Sequence, residues 1–260
     1  MATNRIDAYL EEAVSSVFAN TDLDIELVLV LDGIPTPTPK PQWMRDPRVN
    51  IVVRKKSAGL GAALNTGIRN ATHEVIARLD GDDNSLPERF TKQLKVLNSN
   101  SKPVLVGAKI VIIDENGDEV GAAKQVCGND VRTKLLFQNV VPHSSYMLRK
   151  SSAMSVGLYR EDLQQMEDYD FLLRIALLGP ISVLCEPLVQ YRVHSAQMSK
   201  KAAWRANYIT VVIGGRRLLA KLLGVSSVSV EVRNIVWRTV QLARSFKIMR
   251  PRHLLWLKKS

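Results

Sequence analysis

The sequence predicts an α/β fold: a mixed, mainly parallel sheet flanked by helices, followed by a helical C-terminal extension. Three observations predict it. Strand-like apolar runs alternate with segments of helical periodicity over most of the chain. The 260 residues are 46% apolar, enough for one sizeable core. Charge is partitioned: residues 1–195 carry 22 Lys and Arg against 24 Asp and Glu, a net of −2, whereas residues 196–260 carry 14 against 1, a net of +13. The expected organisation is a domain over residues 1–199 and a basic amphipathic extension over 200–260.

A first helix is expected over Ile6–Phe18, where Ala13, Val14, Val17 and Phe18 recur at helical spacing. Early strands are expected at Glu26–Leu31, Asn50–Val53 and Val75–Leu79. The alternate prolines of Ile34–Pro41 remove donors and hold preceding residues extended, so this loop is an exposed excursion at a sheet edge. Leu60–Ala71 and Pro87–Leu97 read as helices, Val104–Ile113 as a strand pair, and Asn116-Gly117 as a hairpin turn pairing Val120 back. A helix near Asp130–Phe137, a strand at Ser145–Leu148, a helix over Asp168–Leu178 and a strand near Ser182–Leu184 follow. Two amphipathic helices close the chain, about Trp204–Leu223 and Val228–Phe246.

Arg5 and Asp7 precede mixed polar sequence, which is unlike a signal peptide, and no run reaches the roughly 18 apolar residues of a membrane span. Cys127 and Cys185 have no metal-type spacing and read as reduced thiols of a cytoplasmic protein. A nucleic-acid coat is disfavoured because the positive charge sits in one tail and the remainder is slightly acidic.

Asp80-Gly81-Asp82-Asp83 stands where the strand VIARL ends, the end at which open α/β sheets bind ligands. Three carboxylates in four residues repel one another, and a hard divalent cation shared with phosphate oxygens relieves that repulsion. Gly81 is expected to let a diphosphate approach. The competing reading is an acidic loop before a helix, with Ser85-Leu86-Pro87-Glu88 as a capping box.

Several motifs in order resemble family 2 glycosyltransferases of the Rossmann-like GT-A fold. They are Tyr9–Val17, Gly59–Ile68, Ile76–Asp83 with Pro87–Phe90 and Gln93, the run His143–Lys150, then Glu167–Arg174 and Tyr191–His194. The resemblance spans about residues 4–199 and implies an inverting, metal-dependent transfer of a sugar from a nucleotide-diphosphate donor to a glycan or lipid-linked acceptor. It implies donor contacts from Asp32, Asn65, Asp80 and Asp82. It also implies a divalent cation, Mg or Mn, at Asp82, Asp83 and His194, with Asp168 as general base paired to Glu167. Asp32 as a turn residue, Asn65 as an ordinary helix residue, His143 and His194 as structural histidines, and Glu167 with Asp168 as acids favoured by a helix dipole remain open.

The family's opening apolar strand is missing before Asn4, and its absence is expected to make this chain less stable or less active than one extended upstream. The alternative function is a non-catalytic nucleotide-sugar-binding protein of a glycan assembly complex. A nucleotidyltransferase would require a basic glycine-rich phosphate loop that the first strands lack. For residues 200–260, either an anionic membrane surface on the cytoplasmic side or simple packing on the domain with a solvated basic face is open.

Overall fold

A computed structural model describes residues 1–19, 23–122, 125–195 and 206–245. The first half contains β1 (Ala2–Thr3), α1 (Ala8–Phe18), β2 (Leu27–Asp32), β3 (Val49–Arg54), α2 (Leu60–Asn70), β4 (Val75–Ala77), β5 (Asn84–Ser85), α3 (Arg89–Leu97), β6 (Leu105–Ile113) and β7 (Glu119–Ala122). The second half contains α4 (Arg132–Leu135), β8 (Met147–Arg149), α5 (Lys150–Ser155), α6 (Glu167–Ala176), β9 (Ile181–Arg192), α7 (Ala206–Leu222) and α8 (Ser227–Ser245).

Strand β2 shows how the apolar runs become layers. All six of its residues are buried. Leu27, Leu29 and Leu31 pack with Leu10 and Val14 of α1, while Val28 and Val30 pack with Ala63 and Ala71 on the α2 side. A strand covered on both faces reads as a continuous apolar run, which is why ELVLVL does not alternate. Asp7 caps α1 by accepting the Leu10 N–H at 3.1 Å. β1, β2 and β3 form a parallel sheet, and the proline loop leaves as a largely exposed excursion before edge strand β3.

Where the family's opening strand is expected, the chain has a two-residue strand. Ala2 and Thr3 pair in parallel with Val30 and Leu31, and Val30 donates its N–H to Met1 O at 3.0 Å. Two residues are too few to show a strand pattern in sequence.

The second sheet has the order β4-β8-β6-β9-β5, with β7 returning onto β6 through the Asn116-Gly117 hairpin. β6 and β9 run parallel over nine registered partners, whereas the β4–β8, β6–β8 and β5–β9 pairs are antiparallel. Two expectations change here. Val104–Ile113 contributes a single strand, and the short strand near Ser182 extends through twelve residues to Arg192. Glu186-Pro187 interrupts the apolar pattern, and the register shifts there, between Ala108 and Ile110 of β6, absorb the proline. The capping box also fails: Ser85 lies in β5, and Glu88 takes φ 61° with no side-chain cap.

Cys127 and Cys185 are bonded, which corrects the reduced-thiol reading. The isolated antiparallel bridge between Gly128 and Val183 brings the two segments alongside, leaving the Cα atoms 5.1 Å apart although 58 residues separate them in sequence. That proximity arises from tertiary pairing and has no local signature.

Helix α7 shares the core of the preceding elements. Tyr208, Ile209, Val212 and Leu219 join the cluster that contains Phe171, Leu172 and Leu173 of α6, and a Cβ on Gly215 would meet the Leu173 side chain at 3.1 Å. Trp204, Arg205 and Phe246 lie outside the described residues.

Candidate active site

Two strand ends and a helical turn converge on the acidic loop. β4 delivers Arg78 to Asp83 just beyond its end, β9 delivers Arg192 and His194, and the helical turn His143–Ser145 delivers Ser144. Ligand oxygens of Asp80, Asp82 and Asp83 lie within 4.8 Å of one another. The three acids differ in their partners.

Asp80 receives Arg78 and the Ser144 hydroxyl, the latter at 2.9 Å. Asp83 is 0% exposed; one oxygen pairs with Ser144 and the other accepts the Arg192 N–H at 2.9 Å. Ser144 has one hydroxyl hydrogen for two carboxyls. Burial, then the charges of Asp80 and Asp82, push Asp83 well above the usual aspartate range, and the hydrogen bond from Ser144 opposes that shift. Asp82 presents Oδ2 to His194 Nε2 at 3.0 Å and to Arg5 at 3.3 Å, while its Oδ1 accepts no hydrogen bond from the described residues. Its side chain is 22% exposed. Hard oxygen donors with one carboxylate oxygen unclaimed fit a divalent cation. His194 touches Asp82 but stands outside the three-carboxylate group.

Gly81 serves packing. A Cβ there would meet Leu10 Cδ1 at 3.2 Å and Thr3 Cβ at 3.7 Å, so the missing side chain makes room for α1 and β1.

Asp32 ends β2 and accepts from Arg54 at 2.6 Å and Ser57 at 2.5 Å. Gly33 follows at φ 77°, where Ser57 approaches too closely for a Cβ. Asn65 is 1% exposed; it donates to Tyr159 O and Glu161 and accepts the Tyr159 N–H, each at 2.9 Å. Its amide clamps α2 to the segment before α6.

Glu167 and Asp168 open α6, immediately after Met166 at φ 60°. A methionine held in the left-handed region costs on the order of 1–3 kcal/mol and fixes where the helix starts. Asp168 accepts from Asn139 Nδ2 and from the Tyr169 N–H, both at 2.7 Å. Burial nonetheless raises its pKa. Glu167 has Oε2 buried with no hydrogen-bond partner, and burial followed by the charge of Asp168 pushes it up to about 7.

Arg78 pairs with the acidic loop. It is 5% exposed, it binds Asp80 and Ser144, and its charge favours the ionised forms of Glu167 and Asp168. His143 bonds Tyr159 Oη at 2.8 Å, and burial with Arg78 holds its pKa well below the ordinary histidine value. Arg78, Arg192, Ser144, Asn139 and Arg5 were not singled out by sequence reasoning. Arg78 and Arg192 carry a signal, since each is an arginine at the end of a strand-like run and two residues from a candidate ligand.

The two carboxylate groups stand beside the strands of a mixed α/β sheet, and the fold is that of a known class of enzyme. Among solved structures, that of S. aureus TarS 1–349 in complex with UDP-GlcNAc superposes with a TM-score of 0.66 at 15% identity, covering 96% of this chain and 72% of that one. Residues 1–161 match the profile described as Glycosyl transferase family 2. The amylovoran biosynthesis glycosyltransferase AmsE of Erwinia amylovora is 37% identical over 204 residues, 77% of this chain and 76% of its own. The O-antigen biosynthesis glycosyltransferase WbnJ of Escherichia coli is 31% identical over 209 residues, 78% of this chain and 81% of its own. The chain belongs to glycosyl transferase family 2 and is a glycosyltransferase.

Proposed function

We propose that this enzyme moves a sugar, with inversion, from a nucleotide-diphosphate donor to a hydroxyl of a glycan or lipid-linked acceptor. Its setting would be cell-surface polysaccharide synthesis on the cytoplasmic side of the membrane. The names of AmsE and WbnJ support the pathway class, and the TarS complexes named with UDP-GlcNAc and UDP support the donor class. The observations that carry the mechanism are the clustered ligand oxygens of Asp80, Asp82 and Asp83, within 4.8 Å of one another and suited to a diphosphate's cation, and the Asp168 carboxylate, held by Asn139 at 2.7 Å and suited to a proton.

Asp168 is the general base. Its two donors, Asn139 and the Tyr169 N–H, aim the carboxylate, which takes the acceptor proton as the hydroxyl oxygen attacks the anomeric carbon and the bond to the diphosphate breaks. One displacement of this kind inverts that carbon. Asp82 would hold the cation through its unclaimed oxygen, with His194 beside it and Asp83 bracing the loop from the buried side. When bound, a Mg or Mn ion neutralises charge on the leaving diphosphate. Asp80 and Asp32 take the donor's ribose and base sides, and Asn65 supports the donor side through its clamp on the Tyr159 segment.

The test is product analysis with a panel of sugar nucleotides and oligosaccharide or lipid-linked acceptors. One donor class should be consumed and the product should carry the inverted anomer. Chelation should cut the rate by at least roughly tenfold, with recovery on adding Mg²⁺ or Mn²⁺. A retained anomer would overturn the displacement, and turnover indifferent to chelator would overturn the cation.

A further inference from the structure

Helix α8 carries apolar residues on two sides, and among the described residues only one of these sides is buried. Val230, Trp237, Asn234 and Gln241 face the core. On the opposite side Val228, Val232, Ile235, Val236 and Leu242 are 72%, 56%, 64%, 58% and 45% exposed. At 100° per residue these five lie on one face, with Thr239 completing the row. A contiguous exposed apolar stripe of this kind marks a contact surface.

Charge identifies the occupant. Residues 196–260 contain 14 Lys and Arg and a single acid, Glu231. That acid is held by Arg217 of α7 in a two-pronged pair at 2.6 and 2.9 Å. Arginines flank the stripe: Arg238 is exposed on one side, and Arg233 lies on the other, 4.0 Å over the ring of Phe137, which is itself 48% exposed. A second copy docked on this face would bring arginines against arginines. A surface of lipid phosphates instead meets the arginines while the valines and isoleucine enter the headgroup and acyl boundary.

We propose that the outward face of α8 docks the enzyme on an anionic bilayer. This stands apart from the catalytic reading, since its readout is vesicle binding and not turnover. It also differs from a membrane span, because no helix among the described residues is long and apolar enough to cross one.

The experiment is co-sedimentation of the full chain with vesicles of phosphatidylglycerol and phosphatidylcholine, against phosphatidylcholine alone, at low and high salt. Wild type should bind the anionic vesicles, less so as salt rises. Substituting Val232→Gln, Ile235→Gln and Val236→Gln together should weaken binding by at least roughly tenfold. The milder Arg233→Gln and Arg238→Gln changes should each weaken it by about fivefold, the equivalent of about 1 kcal/mol per charge. Melting temperatures should be retained, because all the changed side chains of the triple variant are exposed. Wild type that ignores anionic vesicles, or a triple variant that binds them as wild type does, would overturn the proposal. So would light scattering that shows stripe-dependent dimers in place of vesicle binding.

Discussion

Asp168→Asn is expected to reduce sugar transfer by a factor of about 10³ while donor affinity stays within roughly twofold. The rate falls because the amide cannot accept the acceptor proton. Donor binding survives because the diphosphate side is built from Asp80, Asp82 and their own partners, none of which bonds Asp168. The amide cannot accept from both Asn139 and the Tyr169 N–H through two oxygens, so a cost of about 1–3 kcal/mol in stability accompanies the change. Isothermal titration of donor and a thermal melt separate the two effects. A wild-type pH–rate profile should rise along a limb above the ordinary aspartate range, because burial raises Asp168, and this limb should be absent from the variant's residual rate. Undiminished transfer by a folded Asp168→Asn enzyme would move the base elsewhere.

What was legible in the sequence is what is local in the chain. The acidic loop after VIARL and the Glu167-Asp168 pair are contiguous, so charge density and position relative to predicted elements were enough to find them. Their partners are not contiguous. Ser144 reaches Asp80 across 64 positions, Arg192 reaches Asp83 across 109, and Asn139 reaches Asp168 across 29. Nothing in the residues around Ser144 or Asn139 distinguishes them from loop polar groups until the sheet brings them over. The same holds for the Cys127–Cys185 bond, where the spacing rule pointed to separate thiols and the Gly128–Val183 bridge decided otherwise. Gly81 differs for the same reason: a glycine beside acids reads as room for a ligand, and the fold fills that room with Leu10 and Thr3. Helices with a clear apolar period were placed well, whereas β9 was shortened because a proline in an edge-like stretch mimics a strand end.

Glu167→Gln should make the protein more stable as pH rises, by about 3 kcal/mol at pH 8 relative to wild type and by almost nothing near pH 4.5. The sign follows from the direction of the shift. Glu167 sits at about 7 in the folded chain against an ordinary value of 4.5. A carboxyl raised on folding contributes stability that is complete below its unfolded pKa and is lost as pH climbs through the folded one. The window is therefore pH 4.5 to 7, and about 2.5 units at roughly 1.36 kcal/mol each set the ceiling. Glutamine does not titrate, so the variant escapes the loss. The difference in melting temperature between variant and wild type should widen by roughly 5–10 °C between pH 5 and pH 8, at 2–4 °C per kcal/mol for a domain of this size. A difference that stays flat across that range would show that Glu167 is not held in the desolvated setting described above. The asymmetry also assigns roles within the pair. Asp168 has two donors that suit a carboxylate, and Glu167 has a buried oxygen with none, which suits a carboxylic acid. Neighbouring acids whose surroundings push them apart in this way can divide the work, one ready to take a proton and the other neutral. Above pH 7 the second charge appears beside the first, and the stability that the Glu167→Gln variant preserves is the measure of that repulsion and desolvation.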